Sequence, residues 1–223
     1  MKIMKNRSKV MDILWDVHDY GINVNTREVY IHPNFNDLEE EQGINVKVAC
    51  NFIKNLHILE HLSKDHILIH MQSVGGSWED GMAMFNAIQF AKSPITIVAY
   101  AQASSMTGIL FQSAPTRLMM PDCHLMIHHG SVAINTNSEA AKEIIVFNEK
   151  ASERMVEIFA KRAVKGMFFR KKKMKYQDVF NYIDEIVKKK NDWYIDAQEA
   201  VDYGFADGIM GTKGFESFDL VRG

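Results

Sequence analysis

The chain is predicted to be an α/β protein, and three observations predict it. Short runs of β-branched and aliphatic residues, such as Ile95-Thr96-Ile97-Val98-Ala99-Tyr100, end in turns of small residues. Each run is followed by a stretch with apolar residues at helical spacing. A length of 223 residues with 47% hydrophobic content supports one sizeable core, and no Pro-, Gly- or Ser-rich linker divides it.

In chain order, residues 28–32 read as a short strand. Residues 46–62 read as an amphipathic helix, with Val46, Ala49, Cys50, Ile53, Leu56 and Leu59 at helical spacing. His66-Ile67-Leu68-Ile69-His70-Met71 is a second strand, and Gln72-Ser73-Val74-Gly75-Gly76-Ser77 leads from it to a helix over 78–91. The strand over 95–100 passes through Ala103-Ser104-Ser105-Met106-Thr107 into a small-residue helix. Residues 117–120 and 124–130 are strands separated by the turn Pro121-Asp122, the second ending on Gly130. Thr136-Asn137-Ser138-Glu139 has capping-box form and opens a long helix over about 138–165, striped by Ile144, Ala151, Met155, Ile158 and Ala163. Such a helix either projects from the domain or folds back on it. Residues 166–192 carry the basic run Arg170-Lys171-Lys172-Lys173 and a further helix, and a solvated loop explains the run. Asp196, three residues before Glu199, reads as a helix N-cap.

Several of these junctions can carry chemistry. A serine where a buried strand turns into a helix holds its hydroxyl at the carboxyl edge of a sheet, where α/β folds collect ligands. Two serines there can equally be N-caps. His128 lies 23 positions after Ser105, at the end of the apolar triplet Leu125-Met126-Ile127, within reach of a strand-end serine. His124, His128 and His129 each also admit a structural role. A Gly-Gly pair between strand and helix leaves amides pointing outward, as an oxyanion hole requires, or is a plain turn. The carboxylate that would orient a histidine base is open among Asp192, Asp184 and Glu185, with Asp196 engaged as a cap.

Composition narrows the class. A net charge of −2 gives no general attraction to nucleic acid. Cys50 and Cys123, 73 positions apart in apolar surroundings, read as buried thiols rather than a disulfide or metal motif. No run of about 18 apolar residues appears, and the first 20 residues lack an apolar core of signal-peptide length, so no membrane span and a cytoplasmic location are expected.

The blocks Ser73-Val74-Gly75-Gly76, Gln102-Ala103-Ser104-Ser105-Met106, Met120-Pro121-Asp122, Met126-Ile127-His128 and Ala197-Gln198-Glu199-Ala200-Val201-Asp202-Tyr203-Gly204 resemble those of the ClpP family, the proteolytic subunit of the ATP-dependent Clp protease. The resemblance spans residues 28–209. It implies the spiral of ββα units shared by Clp proteases and crotonases, with a projecting handle helix. It places the nucleophile on Ser105, the base on His128, the triad aspartate on Asp192 and the oxyanion donors on Gly76 and Met106. Gly75, Ser131, Val132, Ala133 and Ile134 would bind substrate laid alongside as an added strand. It further implies a homo-oligomer of two stacked rings, an AAA+ unfoldase partner that hydrolyses ATP, peptide or unfolded-protein substrates, and no metal or organic cofactor. The domain would run over 27–212, with an N-terminal segment 1–26 and a tail 213–223. The chain departs from the family at Val74, where proline is usual, at Ser104, where a small apolar residue is usual, in about a dozen extra residues between Gly166 and Asp192, and in residues 1–26. Such departures suit a divergent, phage-type member. A catalytically silent ring subunit, a procapsid-type protease without ATPase and a crotonase-like acyl-CoA enzyme are the alternative readings.

Overall fold

The computed structural model describes residues 10, 11, 13–31 and 43–222. His32, and residues 1–9 of the N-terminal segment, lie outside them. The first strands, β1 (Ile22–Asn23) and β2 (Glu28–Ile31), form an antiparallel pair. They are followed by α1 (Val46–Leu62), β3 (Ile67–Ser73), α2 (Trp78–Phe90), β4 (Ile95–Ser104), α3 (Met106–Phe111), β5 (Thr116–Met119) and β6 (His124–Ile127). The chain continues through α4 (Ser138–Ala163), α5 (Met167–Lys171), α6 (Tyr176–Lys190), β7 (Trp193–Asp196), α7 (Ala197–Tyr203), β8 (Gly208–Ile209) and α8 (Phe218–Arg222). The strands are ordered β1-β2-β3-β4-β5-β8, parallel from β2 onward, with β6 joined to β4 and β7 to β6. This is the α/β fold that the sequence pattern predicts, in the spiral that the family resemblance implies.

The long strand β4 explains how the spiral turns. Its first half pairs with β3 and β5, Thr96–Ala99 lying against Thr116–Met119. The strand does not stop at Tyr100, as the sequence suggests, but runs on to Ser104. Gln102, Ala103 and Ser104 then pair with His124, Leu125 and Met126 of β6. One strand therefore pairs with β5 over its first half and with β6 at its end, which buries Ser104 where the two pairings meet.

The main core lies between the sheet and the helices. Ile69, Ile97 and Met71 of the strands are buried with Ala49, Phe52, Leu56 and Leu59 of α1 and Met84 and Ile88 of α2. Buried residues of α1 recur at i, i+3, i+7 and i+10, which leaves Val46 and Cys50 on the solvent side. Cys50 is thus an exposed thiol, contrary to the sequence reading. Cys123 is buried, and burial pushes its thiol up to about 12. A smaller apolar cluster of Leu68, Val98, Leu118 and Met210 lies beneath Phe215, Phe218 and Val221 of the tail. There Arg222 of α8 pairs with the buried Glu28.

The helix α4 combines the two arrangements its stripe allowed. Its second half, with Met155, Val156, Ile158, Phe159, Ala160 and Ala163, is buried in the same chain. Its first half is largely exposed, and Ile145, Val146 and Phe147 stand in solvent. Met155 and Ile158 are only 3% and 4% exposed, so neither is available to a partner. The extra helix α6 buries Val179, Ile183 and Val187 at i, i+4 and i+8 and packs along α4.

Candidate active site

Ser105 directly follows β4 and precedes α3. Its backbone, at φ 54° and ψ −125°, occupies a region that side chains other than glycine rarely adopt. The amide of Ser105 donates to the carbonyl of Met126 at 2.8 Å, which fixes the turn against β6. Although it stands at the N-cap position of α3, its hydroxyl makes no capping bond. That hydroxyl instead lies 2.7 Å from Nε2 of His128. Ser104 is buried, and its hydroxyl donates to Oε1 of Gln102 at 3.4 Å.

His128 and Asp192 are brought together by strand register. In the antiparallel pair of β6 and β7, His124 faces Asp196 and Ile127 faces Trp193. One step beyond the strand end, the same register sets His128 opposite Asp192. Nδ1 of His128 and Oδ1 of Asp192 are 3.3 Å apart, and the Asp192 side chain is 52% exposed. The neighbouring Asn191 takes φ 60°, which turns the chain from α6 into β7.

The competing carboxylates are placed elsewhere. Asp184 binds Lys188 at 2.6 Å and lies 3.9 Å from Nε2 of His129. Asp196 caps α7, accepting from the amide of Glu199 while the Glu199 carboxylate accepts from the amide of Asp196. Glu185 is exposed on α6. His124 packs against Tyr194, with ring centroids 5.6 Å apart. Burial lowers the pKa of His129, against the opposing pull of Asp184.

The glycine turn abuts the serine. A Cβ on Gly75, at φ 109°, would sit 2.6 Å from Cβ of Ser105 and 2.8 Å from the Ser104 carbonyl. On Gly76, at φ 145°, it would sit 2.2 Å from the carbonyl of Ile44. Ile44 and Gly76 form a parallel bridge in which Ile44 donates to Gly75 at 2.6 Å and Ser77 donates to Ile44 at 2.9 Å. No side chain fits either position, so only glycine lets this backbone reach the serine. The Met106 amide opens the first turn of α3, where helix amides lack intrahelical acceptors.

These residues border a cleft of about 400 Å³. Gly76, Ser105, Met106, His128 and Ser131 line it, as do Trp78 and, from α4, Asn148, Ala151, Ser152 and Met155. The α4 residues follow i, i+3, i+4 and i+7, a face visible in the sequence through Ala151 and Met155. Periodicity alone could not tell that this face would meet the serine. Val132 and Ile134 line an adjoining groove, whereas Ala133 lines neither cavity. The stretch from Ser131 to Ile134 is exposed and pairs with no strand among the described residues. Among the described residues, no group of three or more His, Cys, Asp or Glu side chains is placed to hold a metal ion, and no helix is long and apolar enough to cross a membrane.

Residues 37–213 match the family model described as Clp protease. The chain is 25% identical over 175 residues to the ATP-dependent Clp protease proteolytic subunit 2 of Pseudomonas aeruginosa, covering 75% of this chain and 77% of that one. It is 27% identical over 180 residues to proteolytic subunit 1 of Chlamydia muridarum, covering 76% and 83%, and 26% identical over 188 residues to proteolytic subunit 1 of Thermobifida fusca, covering 79% and 77%. A solved structure of a ClpP1 variant from Listeria monocytogenes shares the fold at a TM-score of 0.65 and 23% identity, over 85% of this chain and 94% of that one.

Proposed function

The chain belongs to the Clp protease family, and from that premise we propose that it is a serine endopeptidase working through Ser105, His128 and Asp192. The observation that carries this reading is the 2.7 Å approach of His128 Nε2 to a serine hydroxyl held on a strained strand-to-helix turn. In the proposed reaction His128 takes the Ser105 proton as Oγ bonds to the peptide carbonyl carbon. Asp192 accepts from Nδ1–H and stabilises the imidazolium. The oxyanion is received by the amides of Gly76 and Met106, each such donor contributing about 3–4 kcal/mol to the barrier reduction. His128 then protonates the leaving amine, and water attacks the acyl ester by the same route in reverse. Gly75 admits the substrate backbone, and an extended peptide lies along Ser131, Val132, Ala133 and Ile134.

The curated relatives are named as proteolytic subunits of an ATP-dependent protease. By that likeness, this chain acts as two stacked homo-oligomeric rings in the cytoplasm, on peptides or on polypeptides delivered by an AAA+ unfoldase. The exposed Val146 and Phe147 on the outer half of α4 suit the ring-to-ring contact. A fluorophosphonate probe should label Ser105, as read by peptide mass spectrometry. Ser105→Ala should lose both the label and peptide cleavage, while Ser104→Ala keeps both. Labelling of Ser104, or cleavage by the Ser105→Ala protein, would overturn the assignment.

A further inference from the structure

Beside the cleft of Ser105 lies a second groove of about 650 Å³, walled by α4, α6 and the stretch from His129 to Ile134. The two are continuous, since His129, Gly130, Asn148 and Ser152 line both. Along α4 the groove is formed at positions 145, 148, 149, 152 and 153, a single helix face that excludes Val146 and Phe147. Phe180, Asp184 and Lys188, one face of the extra helix α6, form the opposite wall.

The chemistry of this groove is lopsided. Val132, Ile134, Ile145 and Phe180 make it apolar along its length. Lys188 is engaged by Asp184 at 2.6 Å. Glu149 and Glu153, four residues apart on one face, have no ion-pair partner among the described residues. Like charges at that spacing repel each other, and a cation between them relieves the repulsion. An apolar channel edged by free carboxylates complements a side chain with a methylene stem and a cationic head.

We propose that the groove between α4 and α6 is an accessory substrate subsite that takes a lysine or arginine side chain of the polypeptide being cut, with Glu149 and Glu153 pairing with its head. The proposal rests on the peptidase reading of the neighbouring cleft. Alternate side chains of an extended peptide share a face. Val132 and Ile134, two residues apart, both border the groove, so a peptide running beside them meets it with every second side chain.

The test uses the full-length protein and two fluorescent peptides that differ only in one arginine or glutamine a few residues from the cut site. Binding is measured by anisotropy with the Ser105→Ala protein. The arginine peptide should bind about tenfold more tightly, as expected for a charge-assisted pair on an apolar wall. Glu149→Gln with Glu153→Gln should bring the two peptides to parity, whereas Glu143→Gln, on α4 outside the groove, should not. With Ser105 intact, the double variant should cut a peptide free of Lys and Arg within about twofold of the unmodified rate, since neither carboxylate touches the reacting atoms. Equal binding of the two peptides, or a preference that survives the double variant, overturns the proposal. So does a change in native mass on light scattering in the double variant, which would assign the carboxylates to a contact between copies. An arginine preference in binding with no cleavage of any peptide would leave the subsite standing and remove the peptidase reading instead.

Discussion

At the scale of single residues, the site separates groups that are interchangeable in type but not in place. Asp184 and Asp192 are both carboxylates near a histidine, yet the register of β7 gives Asp192 to His128 and leaves Asp184 to Lys188 and His129. Asp192→Asn should therefore lower kcat on a fluorogenic peptide by about three to four orders of magnitude, because the imidazole loses its orienting acceptor. Asp184→Asn should stay within a few-fold, and combining His128→Ala with Asp192→Asn should cost little more than the worse single change. The cysteines give an independent check. Cys50 should alkylate in the native protein, and Cys123, buried with its thiol pushed up to about 12, only after unfolding, as counted by intact mass. His128 is legible in the sequence because it closes a local apolar strand, whereas Ser105 is told from Ser104 only by the family blocks. Only the family resemblance singles out Asp192 from Asp184 and Glu185, since its pairing with His128 spans 64 positions of chain (192 − 128).

At the scale of elements, α4 shows where periodicity informs and where it stops. The stripe through Met155, Ile158 and Ala163 correctly predicted a helix with one apolar face. It did not reveal that this half is covered by the chain itself, because coverage depends on α6 and on the strands beneath. Of the apolar residues left in solvent, Ile145 and Val146 fall off the stripe, whereas Phe147, three residues after Ile144 and four before Ala151, continues it along the uncovered half. Ile158→Ala should thus behave as a core truncation, costing about 2–4 kcal/mol in urea unfolding. The close approach of Gly166 to α7 makes a second element-level prediction. A Cβ there would lie 2.2 Å from the carbonyl of Tyr203, so Gly166→Ala should destabilise the protein by about 1–3 kcal/mol in the same assay. The sequence understates β4 for a related reason. Ala101-Gln102-Ala103-Ser104 is too small and polar to look like a strand, and it is one because β6 lies beside it.

At the scale of the whole molecule, two surfaces set how it responds to conditions. Val146→Glu with Phe147→Glu should give about half the native mass on light scattering, with the fold retained by circular dichroism, if the outer half of α4 joins rings. The other surface is the seam between the tail and the sheet. Burial raises the pKa of Glu28, but hydrogen bonds from Arg222, Tyr30 and Thr26 outweigh it and hold the carboxyl below its ordinary value. A depressed carboxyl contributes stability that is present above its unfolded value and lost as pH falls through the folded one. His129, lowered by burial, adds a loss that begins as pH falls below the ordinary histidine range. Melting temperature should therefore decline from pH 7 to pH 4, and Arg222→Met should lower it at pH 7 while flattening the decline. The pairing of β7 with β6 also divides the chain into a stretch where length is free and one where it is fixed. Residues added or removed in the turns between Ala163 and Lys190 shift how α5 and α6 pack but leave the parity of β7 untouched. With Asp196 anchored by its capping box, deleting one residue within β7 would carry Asn191 opposite His128 and Asp192 opposite Ile127. The scaffold can thus host an insert of another size before β7, while the four residues of that strand tolerate no frameshift in space.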